Sequence, residues 1–329
     1  MKPAAMSIMN DIVVVSDEED WNTMIGDTFQ YYFASAFPIM PQPEPFFDLR
    51  HFSVEQLNAE PLRKQLRTYV VLVNLDDSES ATTKMVRKDL GEDRFLKNRK
   101  DGLLKSSVGK DKWARNQIVI YLMGRSEDEL VKNIKESFSA VAKRINIHDE
   151  DQLKAKIYSS NVNLGLSKEI KEKYGIDLSL PADYKTVMSK DNFTWFRKDT
   201  KDATLNLIIK KIAYQDPKDL TTENILSLAT DFGLNVDPTN ENNNLLINDE
   251  DLPIMEYTRK IDDNYTLEVR GIWEMSEDFV GGPFVSYLIH NEKEGTLLNA
   301  FTFVFAPGKE KRDLVQQLDY LVKQIKFTE

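Results

Sequence analysis

Three stretches of patterned side chains near the end of the chain constrain its fold more than any other feature. Residues 265–270 alternate between apolar and polar side chains, and residues 284–289 and 301–305 are rich in aromatic and β-branched residues. A period of two is typical of strands with one buried face. A turn-like segment at 260–264 leads into the first stretch, and another at 291–295 joins the second to the third. Short connections join antiparallel neighbours, so we predict an antiparallel meander of long strands.

The join between the first two strands of this meander is unusual. Gly281 and Gly282 precede Pro283, and glycine and proline allow or enforce backbone angles that other residues avoid. Two interpretations stay open: a turn in which the glycines need positive φ or a close backbone approach, and a loop that carries Trp273 and Arg270 to a ligand or partner. Alternation places Trp273 on the apolar face of its strand, which favours a buried Trp273. The candidate binding residues are Arg270, Trp273, Glu274, Glu277, Asp278, Gly281 and Gly282.

Composition excludes several classes of protein. The net charge of −11 over 329 residues argues against a general nucleic-acid binder, because neutralising phosphates requires surplus Lys and Arg. The sequence has no cysteine, so disulfides, thiolate metal sites and a cysteine nucleophile are excluded. No apolar run is long enough to span a bilayer, and residues 1–10 lack the apolar core of a signal peptide. We expect no cofactor and no metal.

The first half of the chain contains the same local pattern twice. A short apolar strand precedes Ser16 and Glu19, and another precedes Ser126 and Glu129. Each pair has the spacing of a capping box at the start of a helix. We therefore interpret the acidic residues at 17–20 as part of a helix start and not as metal ligands. Two strand–helix units predict an α+β sandwich with helices on one face of a sheet.

The predicted fold class of the whole chain is α+β, with two α/β sandwich domains built mainly on antiparallel sheets. A mixed-charge segment at 146–180 holds the predicted boundary, which separates an N-terminal domain at 1–160 from a C-terminal domain at 161–329. The second domain contains the meander and a closing helix. We predict that the segment at 146–180 and an Asn-rich loop at 237–251 are exposed and cut first by proteases.

Basic residues concentrate in one part of this acidic chain. Residues 84–115 contain eleven Lys and Arg and five Asp and Glu. The simpler interpretation is a solvated helix and loop. The alternative is a contact with acidic lipid head groups or with an acidic partner.

The sequence resembles a known family at several motifs. These are NDIVVVSDEEDW, DKWARNQIVIYL, LPADYKTVMSKDNFTWFRKD, VRGIWEMSEDFVGGPFVSYL and FVFAPGKEKRDLVQQLDYLVKQI. In order and spacing they are similar to the uncharacterised Bacteroidetes lipoprotein family catalogued as domain of unknown function 4837, and the resemblance covers nearly the whole chain. It implies a lipoprotein signal and a lipid-modified cysteine upstream of Lys2, but no catalytic residues. The meander and closing helix also resemble the PsbP/Mog1-type sandwich, as an analogy of fold only.

No catalytic motif accompanies this resemblance. The three histidines, His51, His148 and His290, lie in no recognisable motif, and the sequence contains no GxSxG, HExxH or glycine-rich nucleotide loop. We therefore expect a cell-envelope lipoprotein that acts as a binding or assembly module and not as an enzyme. The expected partner is an unknown protein or glycan, not nucleic acid, and the membrane contact is a lipid anchor only. The alternative is a carbohydrate-active or other hydrolase with paired carboxylates near Trp273.

Overall fold

A computed structural model describes residues 2–6, 9–233, 243–250 and 252–328. The chain divides into two compact units. The first contains Met1–Ala36 and Pro45–Gln152, and the second contains Phe37–Glu44 and Leu153–Glu329. The division falls inside a helix, Glu127–Ile157, a few residues before the boundary predicted at 160.

The first unit is built on a five-stranded sheet in the order β2-β1-β3-β5-β4. The neighbours β2, β1, β3 and β5 are parallel, and only β4 is antiparallel to its neighbour. The strands are β1 (Asp11–Val15), β2 (Asp48–Phe52), β3 (Thr68–Asn74), β4 (Ser106–Lys110) and β5 (Ile118–Gly124). The prediction of mainly antiparallel sheets is therefore wrong for this unit, although the α+β class of the chain is confirmed. The physical signal is that β1 and β5 are buried at every position, as in parallel sheets covered on both faces.

Helices pack on both faces of this sheet. They are α1 (Glu18–Trp21), α2 (Met24–Phe33), α3 (Val54–Ala59), α4 (Ala81–Leu90), α5 (Glu92–Asp101) and α6 (Glu127–Ile157), with a 3-10 turn at Pro61–Gln65. Side chains of α2 and α6 join the core on one face, and side chains of α3, α4 and α5 join the core on the other. The expectation of helices on one face is wrong because successive residues of β1, β3 and β5 are apolar, so both faces need cover.

The two predicted capping boxes have different outcomes. The Ser126 hydroxyl accepts a hydrogen bond from the Glu129 amide at 3.2 Å, as expected of an N-cap. Ser16 caps nothing: the N-cap of α1 is Asp17, and the Ser16 hydroxyl contacts His51. The sequence spacing of a capping box is thus present at Ser16, but a residue distant in sequence uses the hydroxyl.

The second unit is built on an eight-stranded sheet in which all pairs are antiparallel. Its order is β10-β12-β13-β14-β9-β8-β7, with β11 also paired to β12. Its strands are β7 (Tyr184–Lys190), β8 (Phe193–Asp199), β9 (Thr204–Ala213), β10 (Leu245–Asn248), β11 (Met255–Ile261), β12 (Asn264–Met275), β13 (Gly281–Asn291) and β14 (Thr296–Phe305). A small separate sheet pairs β6 (Ile176–Asp177) with β15 (Lys326–Phe327). Its helices are α7 (Leu164–Tyr174), α8 (Thr222–Gly233) and α9 (Arg312–Lys323), with a 3-10 turn at Pro217–Asp219. The predicted meander is present as β12, β13 and β14.

Each face of the large sheet has its own core. On one face, α8 packs over an aromatic cluster that includes Trp195, Phe284 and Phe303. The other face meets α9, whose buried side chains include Leu318 and Leu321. The segment Phe37–Glu44 belongs to this unit because the Glu44 carboxylate accepts hydrogen bonds from the first backbone amides of α9, Lys311 N and Arg312 N, both at 2.7 Å. A carboxylate at a helix N-terminus satisfies amides that the helix leaves unpaired.

The two segments predicted to be cut by proteases contain regular structure. The short helix expected to stop near Gly175 is present as α7 (Leu164–Tyr174), with Gly175 as its C-cap. Most of 146–180 is helical, because α6 also runs to Ile157. The Asn-rich segment 237–251 contains β10, while residues 237–242 and 251 lie outside the described residues. Within the described part of the chain, no helix is long and apolar enough to cross a membrane.

Candidate functional site

The predicted binding loop proves to be a β-hairpin. Pairing between β12 and β13 continues to Glu274 and Gly281, so Arg270, Trp273, Gly281 and Gly282 are strand residues. Only residues 276–280 connect the two strands. The prediction of one loop that brings all seven residues together is wrong, because the strand ladder continues past the point where apolar alternation ends in the sequence.

Trp273 and Arg270 lie on opposite faces of the sheet. The Trp273 side chain is 2% exposed and belongs to the aromatic core under α8. Its ring centroid lies 5.3 Å from that of Phe303, and its indole Nε1 donates to the Val304 carbonyl at 3.3 Å. An indole N–H that is buried normally has such a partner. Trp273 therefore packs in the core and displays no ring to solvent.

Gly281 and Gly282 are required by close backbone approach and not by left-handed angles. Neither is among the described glycines with positive φ. A Cβ atom on Gly282 would lie 2.1 Å from the Val304 carbonyl oxygen, and one on Gly281 would lie 2.7 Å from the Trp273 carbonyl oxygen. Any side chain at Gly282 would force the strands apart, so the glycines stabilise the hairpin.

Arg270 belongs to a buried network of charged groups. Its guanidinium donates to Glu268 Oε1 at 2.7 Å and to Asp319 Oδ2 of α9 at 2.5 Å. The other Asp319 oxygen accepts the Tyr287 hydroxyl at 2.7 Å, and Glu268 Oε2 also accepts Arg259 Nε at 3.1 Å. The side chain of Glu268 is completely buried and that of Arg270 is 9% exposed. Every charge in this network has an opposite partner, so it links α9 to the sheet.

The pKa shifts within the network have clear causes. Burial alone would raise the pKa of Asp319, but the Arg270 and Lys323 cations outweigh burial and lower it. Burial raises the pKa of Tyr287, and the Asp319 charge adds to that effect. Sequence reasoning identified Arg270 but not Glu268, Tyr287 or Asp319, because single hydrogen bonds of the network join residues up to 49 positions apart.

The tip of the hairpin displays an aromatic side chain. Phe279 is fully exposed, between the exposed acidic Asp278 and the partly buried Val280. The acidic residues here were predicted as candidates from the sequence, but Phe279 was not. The sequence feature that could have indicated Phe279 is an aromatic residue inside an acidic turn.

Hydrogen bonds hold this tip in place. Met275 N donates to the Val280 carbonyl at 2.8 Å, and Ser276 N donates to the Asn244 carbonyl at 2.9 Å. The Asn243 amide donates to Asp278 Oδ2 at 2.7 Å. The tip is thus tied to the residues that precede β10 as well as to its own strands.

Side-chain amides engage two carboxylates of the hairpin. Asp278 accepts the Asn243 amide, and Glu274 Oε2 accepts the Asn248 amide at 3.0 Å. Because Trp273 is 2% exposed, it provides no aromatic floor beside them, and the exposed tryptophan that the hydrolase alternative requires at this place is not present.

A second polar cluster lies in the first unit, where the parallel strands end. The Ser16 hydroxyl follows β1 and lies 2.9 Å from His51 Nε2 in β2. Trp21 stacks on the His51 ring at 4.5 Å between centroids. Burial lowers the pKa of His51, against the opposing effect of its hydrogen bond to Ser16 and of nearby acidic groups. Open α/β sheets bind ligands outside the carboxyl ends of their strands, where the strand order reverses, and β1 and β3 flank that point here.

Acidic side chains surround the same edge. Burial raises the pKa of Asp20 to about 6, and the charges of Asp17, Asp77, Glu127 and Glu19 act in the same direction. Asp17 itself is engaged by α4. Its carboxylate accepts hydrogen bonds from Thr82 N, Thr82 Oγ1 and the Ser80 hydroxyl. Across the described ranges, no group of three His, Asp or Glu side chains has the geometry to hold a metal ion.

Other sites in the second unit are small or structural. A cavity of about 30 Å³, room for about one water molecule, lies beneath α8 against Phe193, Lys210 and Phe301. His290 packs on Tyr214 with 4.2 Å between ring centroids. The cavity is too small for a substrate.

Two family models match this chain, one in each half. Residues 163–324 match the family described as Domain of unknown function (DUF4837), and residues 5–158 match Domain of unknown function (DUF8532). The resemblance to family 4837, expected over nearly the whole chain, is thus confirmed for the second unit, while the two N-terminal motifs fall in the other family's match. No curated protein matches the chain.

Solved structures with a related arrangement are distant. The Ran-binding protein Mog1p of Saccharomyces cerevisiae is 8% identical, covers 47% of this chain and 91% of its own, and has a TM-score of 0.30. LpqN of Mycobacterium tuberculosis, involved in cell envelope biogenesis, is 15% identical, covers 47% of this chain and 83% of its own, and has a TM-score of 0.29. The chain is therefore similar to DUF4837 over residues 163–324 and to DUF8532 over residues 5–158, both described as domains of unknown function.

Proposed function

We propose that the protein is a cell-envelope binding module that docks on a protein partner through the tip of the β12–β13 hairpin. The observation that carries this proposal is the complete exposure of Phe279 on a tip held by hydrogen bonds to Asn243 and Asn244. An exposed phenylalanine gains nothing for folding, since it buries no surface. A rigidly presented aromatic side chain is the usual anchor of a protein interface.

The surroundings of Phe279 indicate the chemistry of the partner. Glu277 and Asp278 are exposed beside it, and the whole chain has a net charge of −11. A partner that fits this tip has an apolar pocket for one aromatic ring and basic groups at its rim. The placement at the envelope, facing the periplasm or the cell surface, rests on the resemblance to lipoproteins and on the match to DUF4837.

A photo-crosslinking amino acid at position 279 tests the proposal in cells of the native organism. The matched control carries the same group at Leu164, which is 78% exposed on the same unit. We expect a specific crosslinked protein at 279 and none at 164. Crosslinking to the same proteins from both positions would contradict docking through the tip.

Purified partner then gives the energetic test. Truncation of an anchoring aromatic costs about 2 kcal/mol or more of binding energy, so Phe279→Ala should raise Kd roughly 30-fold, and Leu164→Ala should leave Kd unchanged. An unchanged Kd for Phe279→Ala would overturn the proposal. If no protein is crosslinked at position 279 and the tip binds a soluble glycan instead, the partner is a glycan and not a protein.

One observation favours carboxylate chemistry as a second candidate function. Asp20, whose pKa is raised to about 6, lies near Asp17, which is held by hydrogen bonds from Ser80 and Thr82. Two carboxyl groups in different environments are the arrangement used by glycosidases. A hydrolase of this kind should lose activity on chromogenic glycosides as pH rises through about 6, and Asp20→Asn should abolish it while Glu274→Gln does not. Activity that survives in Asp20→Asn would exclude this candidate.

A further inference from the structure

Three leucine side chains are exposed near the end of α5 in the first unit. Leu96 is 46% exposed, Leu103 is 71% exposed and Leu104 is 37% exposed. Leu96 lies on α5, and the other two follow Gly102, whose left-handed conformation ends the helix. Single exposed leucines need no explanation, whereas these three fall within nine residues, on α5 and in the loop that directly follows it.

The fold holds these leucines in place. The buried side of α5 carries Phe95 and Asn98, and 3.6 residues per turn place Leu96, Lys97 and Lys100 on the opposite side. The Asn98 amide donates to the Leu104 carbonyl at 3.1 Å, and the Leu104 amide donates to Asn98 Oδ1 at 2.7 Å. The loop after α5 is therefore anchored, and Leu103 projects from it.

Cations surround these leucines. Residues 94–105 contain five Lys and Arg and a single acidic residue, Asp101, within a chain of net charge −11. Arg99 is paired with Asp76, and Lys105 with Glu136. Within the part of the chain that the structure describes, Lys97 and Lys100 take part in no ion pair. Their charges are therefore directed to solvent beside the leucines.

We propose that this leucine–lysine patch (Leu96, Lys97, Lys100, Leu103 and Leu104) docks on an anionic lipid surface. The leucines enter the boundary between head groups and acyl chains, and the two lysines contact lipid phosphates while their stems lie along the apolar layer. Charge complementarity selects this occupant: the cations form a local positive region on an acidic protein, and lysines near an anionic bilayer strengthen binding. The inference is independent of the hairpin tip, which lies in the other unit.

Lipid is favoured over an acidic protein by the form of the patch. Leu103 projects from the surface, and lysines on flexible stems flank it. A bilayer accepts a projecting apolar side chain without a shaped pocket, whereas a protein interface requires complementary packing. An acidic protein partner is therefore the competing outcome of the test.

Vesicle co-sedimentation with the 329-residue chain tests the patch. We expect binding to vesicles that contain phosphatidylglycerol, weaker binding as salt is raised, and little binding to phosphatidylcholine vesicles. Lys97→Gln with Lys100→Gln should weaken binding by roughly fivefold for each lysine. Leu103→Ser with Leu104→Ser should weaken it by about tenfold or more. Unchanged circular dichroism and thermal midpoints establish that these surface variants fold.

Matched controls separate the patch from general charge and apolarity. Lys201→Gln with Lys218→Gln removes two exposed lysines elsewhere, and Leu62→Ser with Leu164→Ser removes two leucines that are 62% and 78% exposed. Both controls should bind phosphatidylglycerol vesicles like the wild type. Three results would overturn the proposal: no binding of the wild type to phosphatidylglycerol vesicles, equal binding to phosphatidylglycerol and phosphatidylcholine vesicles, or control variants whose binding is weakened as much as that of the patch variants. Binding to polyglutamate but not to vesicles would also overturn it, in favour of an acidic protein.

Discussion

Replacing Trp273 by alanine distinguishes a core residue from a recognition residue. The side chain is 2% exposed and contacts the rings of Phe303 and Phe305, at 5.3 and 6.5 Å between centroids. A tryptophan buries about 200 Å² or more, which at about 25 cal/mol per Å² corresponds to roughly 5 kcal/mol. Alanine retains a small part of that burial and leaves a cavity. We therefore expect a loss of about 3–5 kcal/mol, the usual range for a large buried aromatic.

A urea denaturation series followed by circular dichroism measures this loss. Because the chain has two units, the comparison uses the transition of the second unit, identified as the one that Gly282→Val shifts, since Gly282 lies on β13 of that unit. Phe279→Ala, a few residues away on the same hairpin, is the matched control and should change stability by less than about 0.5 kcal/mol. A shift below about 1 kcal/mol for Trp273→Ala would refute the core assignment. It would return Trp273, with Arg270, to the functional candidates.

Four further predictions concern the described residues. Gly282→Val should destabilise by roughly 3 kcal/mol or more in a thermal melt, and more than Gly281→Val, because its Cβ would lie 2.1 Å from a carbonyl oxygen; equal, small losses would refute the close approach. The pKa of Asp20 is raised from 3.8 to about 6 in the folded protein, so the folded state binds more protons than the unfolded state between these values and stability falls as pH rises through that window. Solvent screening at this half-buried position reduces the energetic effect of the pKa shift. We therefore expect Asp20→Asn to raise the free energy of unfolding by about 1 kcal/mol at pH 8 and to change it little at pH 4. A lower free energy of unfolding for Asp20→Asn at pH 8 would contradict this. Asp319→Asn should cost about 3 kcal/mol at pH 7 because it removes one of the two counter-charges of the buried Arg270 and leaves Glu268 to balance both Arg270 and Arg259. Since the folded pKa of Asp319 is lowered, the wild-type contribution is present above about pH 4 and is lost as pH falls. A chelator should leave the thermal midpoint unchanged, and a drop of several degrees would reveal a bound metal.

The site was less predictable than the fold around it. The sequence pointed to the hairpin and to Arg270. For Phe279, the residue that carries the proposed function, the sequence shows only its place in an acidic turn, and this place does not establish exposure. Only its position at the tip, beyond the last paired residues Glu274 and Gly281, exposes it. Likewise, Ser16 has the sequence spacing of a capping residue, but its hydroxyl contacts His51. That contact depends on the pairing of β1 and β2, which are separated by 32 residues of chain between Val15 and Asp48.

Local periodicity was sufficient to predict the meander of the second unit, because apolar and polar residues alternate along a strand that has one buried face. Continuous apolar runs such as Val13–Val15 show no alternation that would mark one buried face. The sequence therefore could not decide whether helices cover one face of the sheet or both, or whether neighbouring strands are parallel or antiparallel. Tertiary structure alone decided these, because strand order depends on connections that pass over the sheet. It also decided that Arg270 meets Asp319 of α9. The partner of a buried charge is set by which helix covers the sheet, and no pattern within a single strand contains that information.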